Sequence, residues 1–182
     1  MLPDTVSIRP YRLSDVRAVY DAALESVGDV YPFMPWCRPD LTEEEQREWL
    51  ETQISAFRSG TAYEFAIVAD GRYLGGCGVN QIDELNRRAN LGYWVRSSAT
   101  RRGVATAAIR ALASWAFANT DLVRLEIVVA ADNVASVRTA ERAGAQREGV
   151  LRKRLLLHDV FHDAEIFSLV RDGSRSGRAS SD

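Results

Sequence analysis

Apolar positions along the chain change period several times, and each change marks an element. Val6 and Ile8 alternate with polar neighbours and predict a short first strand. Val16, Val19, Tyr20, Ala23, Leu24 and Val27 then recur at three and four, as on a helix with one buried face, and Ser14 stands where a capping side chain belongs. A loop rich in proline and aromatics follows, from Tyr31 to Pro39. Thr42 and Glu45 have the spacing of a capping box, in which each side chain bonds the other's backbone N–H. Trp49, Leu50, Ile54 and Phe57 give the helix behind that box its stripe, and Gly60 ends it. Residues 62–69 and 72–82 read as strands joined at Asp70-Gly71, a pair suited to the positive φ of a tight hairpin. A third strand is predicted over 89–95.

The texture then changes. A short loop containing Gly103 leads into a helix with Val104, Ala108, Leu112 and Trp115 on one face. Leu125, Ile127 and Val129 predict a buried strand, and a short helix from Asn133 to Ala143 stops at Gly144. Residues 146–171 read as two strands with a turn between His158 and Asp163. The order predicts a single mixed α+β domain over 1–171. The remainder, 172–182, is poor in apolar residues and is predicted to be a disordered tail.

Composition narrows the class. The chain has 182 residues, 46% of them apolar, with Trp 4, Phe 6 and Tyr 6, which suffices for one well-filled core. No apolar run reaches the roughly 18 residues of a membrane span, and the first nine residues lack the basic-then-apolar order of a secretion signal. Two distant cysteines, Cys37 and Cys77, make neither a disulfide framework nor a zinc site, so a cytoplasmic location without a membrane partner is the expectation. His158 and His162 stand four apart, but on strands that spacing does not converge two rings on a metal, and none is predicted. The net charge of −2 hides an asymmetry: 9 basic against 15 acidic residues in 1–90, and 14 against 10 in 91–182. That is not the broad basic excess of a nucleic-acid binder, but it favours an anionic ligand on the second half.

The segment from Val95 to Thr106 is the natural place for such an anion. A strand ends, a glycine loop follows and a helix begins, so about four backbone N–H groups and the positive end of the helix dipole converge there. Between Arg96 and Thr120 there are four arginines and no acid. The loop is not a P-loop, having no Gly-Lys-Ser/Thr, and it lacks the further glycines of a dinucleotide fingerprint.

Tyr93-Trp-Val95, Arg101-Arg-Gly-Val-Ala-Thr106, Leu125-Glu-Ile-Val-Val-Ala-Ala-Asp-Asn133 with Ser136, and Ala143-Gly-Ala-Gln-Arg-Glu-Gly-Val-Leu-Arg152 occur in an order that resembles the GCN5-related N-acetyltransferases (GNAT). Within that superfamily the chain is most similar to the Rim-type branch of ribosomal-protein N-terminal acetyltransferases. The resemblance covers residues 6–171. It implies a mostly antiparallel sheet with splayed parallel strands, about four flanking helices, and acetyl-CoA as the acetyl donor. It further implies that Arg101, Arg102, Gly103, Val104, Ala105 and Thr106 cradle the pyrophosphate and that Trp94 and Val95 meet the pantetheine amides. Asn133 would bond the pantetheine arm, with Ser136 near the sulfur. Thr100 departs from the family, which has Arg or Gln three positions before the loop glycine.

Direct transfer needs a neutral amine, a polarised thioester carbonyl and a proton for the departing thiolate. In the family the Val95 N–H would polarise the carbonyl. Many relatives protonate the thiolate with a tyrosine in the last short helix; none lies between Asn133 and Gly149, which leaves Ser136. Relatives carry a glutamate near position 90, where Asn90 stands. Asp83, Glu84, Glu126 and Asp163 are the carboxylates in range, and Glu84 ranks first because it lies where a strand leaves the sheet. A weak base favours an amine of low pKa. At pH 7 a lysine amine (pKa ~10.4) is neutral in under ~0.1% of molecules, an α-amine (~7.7–8.0) in roughly 10–20%.

The acceptor is therefore expected to be a primary amine, at a peptide N-terminus or on a small cationic molecule. The six acids of residues 40–51 and the aromatics of 31–36 suit a cation. A catalytically idle acyl-CoA-binding module is the alternative, supported by Asn90 and the missing tyrosine. The final hairpin's edge is compatible with a homodimer.

Overall fold

A computed structural model describes residues 6–172. Seven strands form one sheet in the order β1-β2-β3-β4-β5-β7-β6: β1 (Ser7–Pro10), β2 (Tyr63–Ala69), β3 (Arg72–Asp83), β4 (Arg88–Val95), β5 (Arg124–Ala130), β6 (Gln146–Leu157) and β7 (Val160–Val170). Five α-helices accompany it among the described residues: α1 (Val16–Glu25), α2 (Val27–Val30), α3 (Glu43–Ser59), α4 (Val104–Asn119) and α5 (Val134–Ala143). The expected four thus become five, because the first predicted helix breaks after Glu25 and α2 is a single turn. Apart from Asp172, the tail expected over 172–182 lies outside the described residues.

Most element boundaries follow the sequence pattern. Thr42 accepts from the Glu45 N–H while the Glu45 carboxylate accepts from the Thr42 N–H at 2.8 Å, and Gly60 closes α3 at φ 76°. Asp70 and Gly71 take φ values of 50° and 73°, as a two-residue hairpin requires. Two expectations need correction. Ser14 does not cap the first helix: Asp15 organises that turn, accepting from the Arg12 N–H at 2.8 Å and bonding Arg9 through two contacts of 2.7 Å. The last hairpin turns on only His158 and Asp159, both at positive φ (49° and 63°), so Val160 to Asp163 belong to β7.

Strand alternation separates two cores. Phe65 and Ile67 of β2, Cys77 and Val79 of β3 and Leu91 of β4 face α4, packing with Ile109, Leu112, Leu125, Ile127 and Phe167. On the opposite face Ala66 and Tyr73 pack with Tyr11, Val16, Val19 and Leu50 beneath α1 and α3. The even positions Glu64, Asn80, Asn90, Gly92 and Trp94 belong to this second face by the period of two.

Among the described strands only β4 and β5 pair in parallel, and their register has three pairs, Arg88↔Arg124, Ala89↔Leu125 and Asn90↔Glu126. Beyond those pairs β4 stays with β3 as far as Val95, while β5 stays with β7 as far as Ala130. Each strand follows its own antiparallel partner and sheet twist drives the two apart. The sheet therefore opens between residues 91–95 and 127–130.

Candidate active site

In an antiparallel ladder successive residues turn their backbone groups to opposite sides. The Arg96 N–H donates to Leu74 O at 2.9 Å, so the pairing of Trp94 with Gly76 is likewise turned toward β3. Tyr93 and Val95 consequently turn their N–H and C=O groups into the gap. Of the two strand residues expected to meet the donor, Val95 has the free backbone, whereas Trp94 instead presents its ring to the opposite face.

The gap ends at the loop before α4. Glu25 accepts from the Ser98 N–H at 2.8 Å and pairs with Arg96, which holds its carboxyl down at about 2, and the Ser97 N–H donates to the Ser26 hydroxyl at 3.0 Å. The loop is thus fastened to α1 before it turns. Arg101 then stands at φ 59° and Gly103 at 74°, left-handed conformations of the kind that make backbone N–H nests for anions. Gly103 is the N-cap of α4, and no acid occupies the first turn. Val104 is buried beneath the turn; Arg101, Arg102 and Gly103 are exposed, and Ala105 and Thr106 are half-buried. Of the four arginines counted here, Arg96 is tied to Glu25 and Arg110 donates to the carbonyls of Arg142 and Ala143. Arg101 and Arg102 form no salt bridge with the described residues, so the anion-directed charge is theirs.

On the far side of the gap, Asn133 caps α5 by accepting from the Ser136 N–H at 3.1 Å. That bond leaves the Ser136 hydroxyl for another partner, and it lies 2.7 Å from the Tyr93 phenol, which also donates to Ser136 O at 3.2 Å. Burial pushes the Tyr93 phenol up, against the lowering effect of the Ser136 bond, and so keeps it protonated. A tyrosine does stand beside Ser136, then, supplied by β4 instead of the helix. It lies outside residues 133–149, far from Ser136 in sequence.

On the α1–α3 face a cavity of about 390 Å³ reaches β4. Trp36 and Trp94 meet edge to face at 5.3 Å, and Tyr11 meets Trp49 at 5.4 Å, giving it aromatic walls. Arg38 and Glu45, paired with one another, line its rim. Its floor is β3, where glycines make the room. A Cβ on Gly76 would stand 2.4 Å from the Tyr11 hydroxyl, and one on Gly78 would stand 1.8 Å from Glu64 Oε2.

Glu64 of β2 occupies the space above Gly78. Asn80 Nδ2 donates to its Oε1 at 2.9 Å, and Asn90 Nδ2 donates to Asn80 Oδ1 at 2.9 Å. Burial raises the Glu64 carboxyl above its ordinary value, and the Asn80 bond offsets only part of that. The sequence reading passed over it. The available signal was a lone carboxylate inside the apolar run Tyr63-Glu-Phe-Ala-Ile-Val68, opposite the glycines of the next strand. Glu84 lies elsewhere, exposed on the β3–β4 turn beside Leu85, which is 90% exposed, and does not line the cavity. The other carboxylates weighed have structural partners: Asp83 holds Asn86 and Arg88, Glu126 holds Arg88 and Arg124, and Asp163 accepts from the Lys153 N–H.

A strand that leaves its backbone free along a gap on one side and walls an aromatic cavity on the other, with an acid-free helix terminus at the end of the gap, has the arrangement of a group-transfer enzyme. Residues 5–146 match the acetyltransferase (GNAT) domain family, and the chain belongs to it. The ribosomal-protein-serine acetyltransferase of Escherichia coli (strain K12) is 26% identical over 157 residues, 86% of this chain and 88% of that protein. YdaF of Bacillus subtilis (strain 168) is 33% identical over 108 residues, a match that spans only 59% of either chain. Among solved structures, the microcin C7 self-immunity acetyltransferase MccE, determined with acetyl-CoA and AMP, superposes with a TM-score of 0.87 at 25% identity, covering 92% of this chain and 93% of that one. RimL, a ribosomal-protein α-N-acetyltransferase solved with coenzyme A, shares the fold with a TM-score of 0.87 at 24% identity, covering 94% and 97%.

Proposed function

We propose that the chain transfers the acetyl group of acetyl-CoA to a primary amine held in the aromatic cavity, and that the amine is the α-amine of a peptide or protein N-terminus. The observation that carries this reading is the position of β4, whose residues 92–94 line the cavity while residues 91–95 are free along the gap. A thioester lying in the gap and an amine lying in the cavity meet at this one strand. The residues present fit the donor: an acid-free, glycine-begun helix terminus for phosphate, and free strand amides at Tyr93 and Val95 for the pantetheine arm. Acetyl-CoA supplies the activated acyl group. The Val95 N–H polarises its carbonyl, and Ser136, backed by the Tyr93 phenol, gives the departing sulfur its proton.

Cation–π attraction from Trp36, Trp49 and Trp94 favours a protonated amine at the cavity mouth. RimL is named as an α-N-protein acetyltransferase of ribosomal L7/L12, and the Salmonella typhimurium acetyltransferase of the same fold as one that modifies the N-terminal serine of that protein, which supports an α-amine. The test has two parts. Calorimetric titration with acetyl-CoA, repeated on Gly103→Glu, is expected to show binding that the variant loses. Release of free thiol is then followed with two peptides, one with only its N-terminus free and one with only a lysine free. Faster turnover of the first is expected. A preference for lysine, or turnover of small polyamines alone, overturns the α-amine assignment.

A further inference from the structure

We infer that Glu64 accepts the proton of the bound amine and is a catalytic residue of the transfer, an inference that rests on the aromatic cavity being the acceptor site. Two carboxylates line that cavity, and Arg38 neutralises the other, Glu45. Among the described residues no cation pairs with Glu64. Its partners are amides, and chemistry fixes their direction: an ionised carboxylate only accepts, so Asn80 must turn its NH₂ to Glu64 and its oxygen to the Asn90 NH₂. One carboxylate oxygen is held in this way. The other lies over Gly78, where no side chain could fit beside it. Asn90 thus connects through Asn80 to a carboxylate two strands away.

The charge on Glu64 has no structural use. A glutamine has the same shape and can accept the same Asn80 bond, whereas an unpaired carboxylate in a half-buried site costs stability. Glu64 and Tyr11 also line a second cavity of about 180 Å³, bordered by Gln53, Ile54, Phe57 and Arg58. The carboxylate therefore faces the acceptor on one side and a separate opening on the other. In the transfer, Glu64 takes one proton from the ammonium. The amine nitrogen then bonds to the acyl carbon as the carbon–sulfur bond breaks. The second nitrogen proton passes to the sulfur through the Ser136–Tyr93 hydroxyls, leaving amide, free thiol and a protonated Glu64 that discharges to water.

Steady-state kinetics of the full chain against pH, with the N-terminal peptide and acetyl-CoA, test this with Glu64→Gln and Glu64→Asp. Tyr11 and Tyr73 share the face of Glu64, and Cys77 lies near it in β3; burial holds all three protonated far above neutrality, and Arg38 holds Glu45 below its ordinary range. Arg58 faces it across the smaller cavity as a cation. The acid limb of the wild-type profile therefore belongs to Glu64. Glu64→Gln should lower kcat on the order of 10²-fold, keep its acetyl-CoA affinity, melt higher, and replace the wild-type plateau by a rate that climbs with pH toward the pKa of the amine. Glu64→Asp should recover part of the rate and the acid limb. A Glu64→Gln enzyme within threefold of wild-type kcat, or one that keeps the same acid limb, overturns the inference. A wild-type chain that binds acetyl-CoA and turns over no amine overturns the acceptor reading as well.

Discussion

The Tyr93–Ser136 bond is the only side-chain hydrogen bond that spans the open end of the sheet among the described residues, and its strength can be measured. Tyr93→Phe removes the phenol that lies 2.7 Å from the Ser136 hydroxyl and 3.2 Å from its carbonyl. Ser136→Ala removes the hydroxyl but spares the α5 cap, because Asn133 bonds the Ser136 N–H and not its side chain. Each loss leaves a half-buried polar group without its partner and should cost about 1–1.5 kcal/mol. Once one hydroxyl is gone the other has little left to lose, so the double variant should fall short of the sum by about 1 kcal/mol. Urea unfolding of the four chains measures this directly, provided the denaturant slope is unchanged. In thermal melts each single variant should drop by roughly 2–6 °C, at about 2–4 °C per kcal/mol for a domain of this size. Additivity within ~0.3 kcal/mol would mean that β4 and α5 are not bonded across the gap, and the proposed proton path to the sulfur would go with it. If the path holds, Tyr93→Phe also lowers kcat while KM for the amine stays near wild type.

Three other outcomes follow from the geometry. Gly78→Ala puts a methyl where Glu64 Oε2 now lies, so the carboxylate must swing away; kcat should fall about tenfold or more with acetyl-CoA affinity unchanged in calorimetry. Gly103→Ala keeps the anion site neutral but forces an alanine to φ 74°, which should cost about 1–2 kcal/mol in urea unfolding. Asp15→Asn should cost about 1–3 kcal/mol at pH 7, because it breaks the two-contact pair with Arg9. Burial acts to raise the Asp15 carboxyl, but Arg9 and the Arg12 N–H outweigh it and hold it below its ordinary value. Its stabilisation is therefore full above the unfolded-state value of ~3.9 and is lost as pH falls through the lower folded value. Wild-type stability should decline over that acid window more steeply than that of Asp15→Asn.

Elements with local causes were legible in the sequence. The α3 box, the Asp70-Gly71 turn and the Gly60 and Gly144 stops are each set by residues within a few positions, and the structure has them where the pattern put them. Errors arose where a distant or competing partner decides. Asp15 prevails over Ser14 because Arg9 of β1 comes to meet it. Trp94 and Val95 could not be told apart without the β3 register, which decides whose backbone is already engaged. Tyr93 stands in one of the motifs, but nothing local marks it as Ser136's partner, because 43 residues separate them. Glu64 was hidden for a related reason: a carboxylate inside a strand gives no local sign of facing a cavity, and its neighbours Asn80 and Asn90 come from other strands.

In the proposed function, the alternation of β4 is what brings two different ligands to one reaction. Leu91, Tyr93 and Val95 turn their side chains toward the α4 core and, by the same alternation, their peptide groups toward the gap. Asn90, Gly92 and Trp94 send their peptide groups to β3 and their side chains to the acceptor face. In the proposed function, a period of two thus gives the donor side to odd positions and the acceptor side to even ones along a single strand. A one-residue slip in the β3–β4 register would exchange the two sets, burying Trp94 and exposing the Tyr93 phenol to the cavity. The register is pinned by residues that tolerate little change: Gly75 leaves room for Trp94 O, at 2.2 Å from where its Cβ would stand, and Gly76 leaves room for the Tyr11 hydroxyl and the Trp94 ring. Glycines that weaken a strand elsewhere serve here because they permit the close approach of backbone and rings on which this register depends.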